Sequence, residues 1–364
     1  MIPYHHIPAA LRYPGAYIEV DGSRAGLGGD LPAVLLVGQK LATGTAPAGE
    51  IILMSGVEDA RAKAGAGSML ARMAEAYRAA DPTLDVYLLP YADNGAGVAA
   101  TGTITVASAA TGAGTLALYI AGRLVSVGID TGQTTDQSAA AIAAAITTAG
   151  LDVPVTAAAS GSVATLTARH KGTCGNDIDL RIGLHGEAAP AGLSLSLVAM
   201  AGGAGDPAPG DLAATLGQEW FRYVALGMND AATLAAWHAE SQRRYQPPVQ
   251  AGFRAFCAAR GDYAQAVAYG DGKNYEHIAA LALGVNPTPT WEASAILAAA
   301  CAPRLHNSPV KSLEGTRLPG LTTTEYFDWT NANSLLFKGM SLLEAGKDGA
   351  SYVKRVISLY RYRP

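Results

Sequence analysis

Charge is scarce in this chain. Asp, Glu, Lys and Arg make up only 15% of its 364 residues, where ordinary soluble domains carry roughly 25%. The net charge is −4 and the pI about 6.0, with no basic stripe, which argues against nucleic acid as the main partner. Cysteine is rarer still. Cys174, Cys257 and Cys301 are odd in number, far apart and without CxxC or Cys/His ligand spacing, so buried free thiols are expected in place of a disulfide or zinc site. Long apolar runs are also missing. The longest, such as Ala139–Ile146, fall well short of the roughly 20 residues that cross a bilayer. Met1-Ile2-Pro3-Tyr4-His5-His6 offers neither a charged nor an apolar region of a signal peptide. The expectation is a chain made and kept in a cytoplasm-like compartment, with no membrane partner.

What is present is apolar material, 49% of the residues, in a chain long enough for two domains. Its texture changes near residues 93 and 203. Ala33–Gly38 (AVLLVG) is a short continuous apolar run, the pattern of a strand buried on both faces. Ser55 and Glu58 have capping-box spacing and are expected to open a helix. Gly65 and Gly67 interrupt it, and Ser68 restarts it with Met69, Met73 and Tyr77 on one core-facing stripe. Asp81-Pro82 ends that helix, and Asp85–Leu89 reads as the next strand.

Residues 93–202 alternate instead. Ile104 and Val106, then Leu116, Leu118 and Ile120 before an Ala121-Gly122 turn, then Leu124–Val127, read as strands. Thr134 and Gln137 have capping-box spacing before Ala139–Thr148, a helix with Ile142 and Ile146 on one face. Val153–Thr156, Val163–Thr167, Ile178–Ile182 and Leu193–Val198 complete a mostly antiparallel α+β unit. After the Gly202–Pro207 exit, helices at 211–217, 230–243, 262–269 and 290–302 alternate with strands Tyr223–Leu226, Val249–Phe256 and His277–Leu283. The expected fold is an α/β core with a mainly parallel sheet and flanking helices, plus an inserted mostly antiparallel α+β domain. Its expected parts are an extended arm (1–30), a discontinuous core (31–92 and 203–364) and the insert (93–202), since insertion is tolerated where a chain enters and leaves at neighbouring points. Residues 320–364 look less regular, except that Tyr352–Tyr362 alternates as a strand. That strand stops within two residues at Pro364, so a missing C-terminal part is expected.

Motifs that carry chemistry are nearly absent. Gly26–Asp30 is glycine-rich but precedes a strand, which fits no dinucleotide fingerprint. Ala64-Gly65-Ala66-Gly67-Ser68 resembles part of a phosphate loop, yet no Lys precedes Ser68; two helices meeting at glycines explain it. No GxSxG or HExxH occurs. The seven histidines are scattered, and His5-His6 falls in the arm, where a solvated pair is expected. Asp271-Gly272-Lys273-Asn274 reads as an ordinary loop. Asp177 and Asp179 alternate on a strand, where a solvated edge is expected. No catalytic, cofactor-binding or metal-ligating residue is assigned, and no cofactor.

Several segments together resemble the tail sheath proteins of Mu-like contractile phages. They are Ile7–Asp21, Leu31-Pro32 with Val34–Gln39 and Thr43–Ala46, and Gly65–Ala71. In the insert they are Ala100–Thr103, Leu116–Gly122 and Pro190–Leu193, and later Leu318–Leu321, Asn333, Leu335-Leu336, Gly339 and Val353-Arg355-Val356. Each block is weak alone; their order along nearly the whole chain carries the resemblance. His306–Val310 matches only loosely. Family members continue beyond a strand like Tyr352–Tyr362, so the resemblance implies a sheath protein without its C-terminal region, and for it a monomer or small oligomer.

The resemblance further implies a structural subunit, not an enzyme, that polymerises as helical rings around a tail tube and contracts to drive genome ejection. Its partners would be other sheath subunits, the tail tube protein, and baseplate and tail terminator proteins. Its place would be the virion tail, after assembly in the host cytoplasm. Arms that add strands to neighbouring subunits are a family feature. Gly15, Ala16, Tyr17, Ile18, Glu19 and Val20 are the candidate donated strand, with an intramolecular edge strand as the other reading. The insert would face outward. A sheath of a phage-derived bacteriocin or injection system is the alternative setting, and an α/β enzyme the alternative function.

Overall fold

The computed structural model of the chain describes residues 33–322 and 327–361. Its spine is strand β1 (Ala33–Lys40), in which Val34, Leu35, Leu36 and Val37 are fully buried. An uninterrupted apolar run suits a strand covered on both faces. β1 pairs in parallel with β3 (Val86–Ala92) on one side and β11 (Phe221–Leu226) on the other, Leu36 lying opposite Leu88 and Ala225. Beyond β11 follow β12 (Arg254–Ala259), β13 (Ile278–Ala282) and β14 (Met340–Ala345), all parallel. Antiparallel strands close both edges, β2 (Ile52–Met54) beside β3 and β15 (Ser351–Arg355) beside β14. The sheet order is β15-β14-β13-β12-β11-β1-β3-β2.

Helix α1 (Val57–Ala64) does not start on the expected capping box. Its N-cap is Gly56, because Glu58 turns to Arg61 and the Ser55 N–H donates to Asp59 Oδ2 at 2.9 Å. Helix α2 (Met69–Ala80) does start at Ser68, whose hydroxyl accepts from the Ala71 N–H at 3.1 Å. Met69, Met73 and Tyr77 are buried on one face, as their spacing predicts. That face lies very close to the sheet: a Cβ on Gly227 would sit 2.5 Å from the Met73 sulfur. α7 (Thr290–Asn307) packs beside α2 and over β11 and β12, and runs on past the predicted end through Pro303. α4 (Leu212–Leu216), α5 (Ala231–Arg244), α6 (Tyr263–Gly270) and α8 (Trp329–Phe337) each begin on an Asp cap.

The segment between β3 and β11 builds two antiparallel sheets. One has the order β10-β4-β8-β7, from β4 (Ala99–Ser108), β7 (Val155–Ser160), β8 (Val163–Lys171) and β10 (Ser194–Ala201); the other is β6-β5-β9, from β5 (Gly114–Ile120), β6 (Arg123–Ile129) and β9 (Leu180–Ile182). Ala121 and Gly122 both take positive φ, 52° and 75°, as a tight hairpin turn joining twisted strands demands. α3 (Thr135–Ala149) has its full capping box from Thr134 and Gln137, and buries Ile142 and Ile146 against both sheets.

Three expectations need correction. β12 starts at Arg254 instead of Val249, because the chain is still turning there, with Gln250 at φ 49°. β15 ends at Arg355 instead of continuing to Tyr362. Its extension bonds elsewhere: the Ile357 N–H goes to Ser341 Oγ at 3.0 Å and the Leu359 N–H to the Ile278 carbonyl at 2.8 Å. The stretch that looked irregular holds α8 and β14, and β2 was also not read from the sequence.

One polar link joins α2, α7 and the antiparallel segment. Arg72 Nε donates to Glu292 Oε1 at 2.7 Å, with both side chains nearly out of water, and Arg72 Nη1 donates to the Asp152 carbonyl at 2.6 Å. Removing one partner of such a pair leaves an uncompensated buried charge. Arg72→Met is expected to lower unfolding free energy by about 3–5 kcal/mol, measured in urea, and Arg72→Met/Glu292→Leu to recover much of that loss.

Two histidines make stability depend on acid. The His277 ring stacks on Tyr245 at 3.7 Å, and His238 lies 4.6 Å from the Tyr275 ring. Burial lowers both pKa values from the usual 6.5; Arg254 and His238 push that of His277 further down, while Glu276 opposes the shift in both. The unfolded chain therefore binds more protons, so this contribution is present above about pH 6.5 and is lost as pH falls through the lowered folded values. The urea midpoint is expected to drop between pH 7 and pH 5, and less steeply in His238→Gln/His277→Gln.

Candidate functional site

In an open parallel sheet a ligand crevice forms at the carboxyl ends of the strands, where the order of connection reverses. Here that point lies at β1 and β11, since β3 follows on one side and β12 to β14 run away on the other. The side chain at the end of β1 is Gln39, fully buried. Its amide nitrogen donates to Asp93 Oδ1 at 2.9 Å and to the Lys171 carbonyl at 2.8 Å, and its carbonyl accepts from the Cys174 thiol at 3.0 Å. Asp93 Oδ1 also meets His170 Nδ1 at 2.8 Å, while Oδ2 accepts the Lys171 N–H at 3.0 Å. His170 Nε2 accepts from the Met69 N–H at 2.9 Å, the first amide of α2. A nitrogen that accepts from an amide carries no proton, so the imidazole proton sits on Nδ1 and points at Asp93.

Cysteine, histidine and aspartate thus share one cluster, the residue types of a nucleophilic triad. Their bonding is of another kind. The thiol proton is directed at Gln39, and burial, reinforced by Asp206, Asp93 and Asp177, pushes the Cys174 thiol far above its ordinary range. The histidine nitrogen that would act as a base is committed to the start of α2. The space beside the cluster is a cavity of about 10 Å³, the size of one water molecule. At the crevice position the end of β8 and the turn after it bond to Gln39 and Asp93 through Lys171 and Cys174.

A second polar cluster overturns an expectation. Asp177 and Asp179 do not sit on a solvated strand edge: Asp177 ends a single tight turn (Thr173–Asp177), and β9 begins only at Leu180. Asp177 Oδ2 accepts from Thr290 Oγ1 at 2.9 Å, and burial raises its pKa against the opposing effects of Thr290, Arg260 and Asn229. Asp179 is buried and held by Arg181 and Arg260. Those two arginines also donate to the Val285 and Asn286 carbonyls, at 2.6 and 2.7 Å. Asp179 thereby ties the antiparallel segment, through its two arginines, to the loop after β13, and Asp177 ties it to the start of α7.

The remaining candidates separate cleanly. Gly65 and Gly67 lie where α1 and α2 meet, and Ser68 is a helix cap. Asp271 pairs with Lys338 at 2.8 Å and Arg361 at 3.0 Å. Cys174, Cys257 and Cys301 are buried free thiols. Among the described residues no group of three or more His, Cys, Asp or Glu is placed to hold a metal ion, and no helix is long and apolar enough to cross a membrane. Gly15–Val20, Gly26–Asp30 and His5-His6 lie outside the described residues. The largest exposed apolar side chains include Trp329 and Phe337, 83% and 76% exposed, eight residues apart on the outward face of α8. Sequence spacing did not reveal the Gln39 network, because Gln39 and Cys174 are 135 residues apart. A polar residue closing an apolar strand run was its one local sign.

No protein-family model matches the chain. Two crystal structures of sheath tail proteins are similar to it. The protein from Desulfitobacterium hafniense has 18% identity and a TM-score of 0.46, covering 95% of this chain and 75% of that one. The protein from Listeria innocua has 16% identity and a TM-score of 0.43, covering 90% and 68%. The tail sheath protein of the Mu-like prophage FluMu of Haemophilus influenzae is 34% identical over 365 residues, spanning 99% of this chain and 75% of the relative. At that identity along almost the entire chain, it belongs to the family of Mu-like phage tail sheath proteins.

Proposed function

We propose that this chain is the repeating subunit of a contractile tail sheath: it polymerises as helical rings around a tail tube and shortens to drive the tube through the host envelope. The observation that carries the reading is the match to the FluMu tail sheath protein over 99% of the chain. A heterologous contact that does not close generates a helix from a single kind of subunit. Shortening then requires two packings of rigid bodies, the extended one metastable. Other sheath subunits, the tail tube, the baseplate and the tail terminator are the partners, and the tail of the virion is the site of action, after assembly in the host cytoplasm.

Within this reading Gly15–Val20 is the strand donated to a neighbouring sheet, a tether of main-chain hydrogen bonds that survives rotation of the subunit bodies. Residues 31–92 and 203–364 form the discontinuous core, and 93–202 an outward-facing insert. Support for that division comes from strand pairing, in which strands on either side of the insert complete one sheet.

The decisive test is assembly. A chimera carrying this chain and the unmatched quarter of the FluMu relative is expected to form tubes with a periodic ring repeat in negative-stain microscopy. The same chimera without residues 1–30 is expected to stay small by light scattering. Compact monomers from both, at all salt concentrations, would refute the sheath reading.

Enzymatic use of the Cys174 cluster makes a different demand, a reactive thiolate. Burial pushes Cys257 and Cys301 up to about 12, and Cys174 higher. Iodoacetamide at pH 8 is expected to leave all three unlabelled in the native chain and to label all three in guanidinium. Fast, stoichiometric labelling of native Cys174 would reopen the catalytic reading.

A further inference from the structure

Helix α8 covers the sheet with one side and leaves the other to solvent. It packs on β14 and α6, with Leu335 fully buried and Ser334 Oγ 2.8 Å from the Tyr263 hydroxyl. Trp329, Asn333 and Phe337 fall at i, i+4 and i+8, one stripe on the side away from Leu335. All three are exposed, Trp329 by 83% and Phe337 by 76%. The helix (WTNANSLLF) carries no charged residue. Exposed aromatic side chains on a charge-free surface are the composition of the centre of a protein interface.

The order of the stripe selects the occupant. Aromatic, carboxamide, aromatic reads the same in both directions. Laid antiparallel on a second copy, the helix sets Trp329 on the partner's Phe337, Phe337 on the partner's Trp329, and Asn333 on the partner's Asn333. Such ring pairs are favourable beyond their burial. A carboxamide both donates and accepts, so two of them satisfy one another. Antiparallel alignment also brings opposite ends of the two helix dipoles together. Rings of this kind carry about 150–250 Å² each, so four of them remove on the order of 600 Å² from water. That is about half of what the smaller stable complexes bury, so the pair is weak and depends on concentration.

We propose that α8 is the contact of a weak, reversible homodimer, in which two copies meet through Trp329, Asn333 and Phe337 about a two-fold axis. An isologous contact closes on itself and cannot extend into a helix of subunits. The proposal therefore goes beyond the sheath reading and does not rest on it: it describes free subunits outside any polymer.

Sedimentation velocity of the whole chain between about 10 μM and about 1 mM tests it. The expected result is a monomer–dimer equilibrium. Trp329→Ser/Phe337→Ser is expected to weaken it at least about tenfold, with an unchanged circular dichroism spectrum, because both side chains are exposed. Position 333 meets its own copy, so Asn333→Lys and Asn333→Glu are each expected to stay monomeric, and their equimolar mixture to dimerise. Three results would each overturn the contact: monomers throughout the concentration range, association that the serine variant leaves unchanged, or no dimers on mixing the two Asn333 variants. If the serine variant fails to fold, the unmodified chain and the Asn333 mixture still decide.

Discussion

Arg72 keeps its charge where almost no water reaches it, and three parts of the fold converge on that side chain. A guanidinium taken from water is tolerated only with a carboxylate close by and most of its hydrogens bonded. Glu292 supplies the carboxylate from 220 residues away, and the carbonyl of Asp152 accepts another hydrogen from the loop before β7. Relative placement of α2, α7 and the antiparallel segment is thereby constrained by electrostatics, on top of apolar burial. Apolar contacts alone specify position loosely, because many packings bury similar area. A directional, desolvated pair penalises all but one of them.

The same principle governs the crevice above β1. An open α/β sheet normally leaves its switch point available for a ligand. In this chain Gln39 is turned toward Asp93, Lys171 and Cys174, and His170 caps the first amide of α2. Polar groups that could have served chemistry are satisfied by one another. The outcome is a bonded joint between the parallel sheet and the antiparallel segment. The ion pairs of Asp179 with Arg181 and Arg260 add a second joint on the far side of β11.

Much of the fold was legible because its signals are local. The continuous run of β1, the capping box of α3, the Ser68 restart of α2 and the Ala121-Gly122 turn each depend on residues within a few positions. Misreadings arose where another partner outbid the expected local one. Glu58 faced a nearby Arg61, so the capping box at Ser55 was lost. The alternation after Arg355 promised a long strand, but the Ser341 hydroxyl and the Ile278 carbonyl took its amides. Asp177 and Asp179 looked like a wet strand edge until Thr290 and Arg260 arrived from the other end of the chain.

The sequence by itself determined the class of fold, the mainly parallel sheet, the antiparallel character of residues 93–202, the buried state of the three thiols and the family resemblance that the FluMu relative establishes. Periodicity, capping and order of motifs are properties of neighbouring residues and survive in one dimension. Only the tertiary structure decided which polar side chains meet. Gln39 with Cys174, Arg72 with Glu292 and Asp179 with Arg260 are joined across 135, 220 and 81 residues. No spacing rule reaches that far, because such pairs are selected by the cost of burying an unmatched charge or amide once the chain has closed around it.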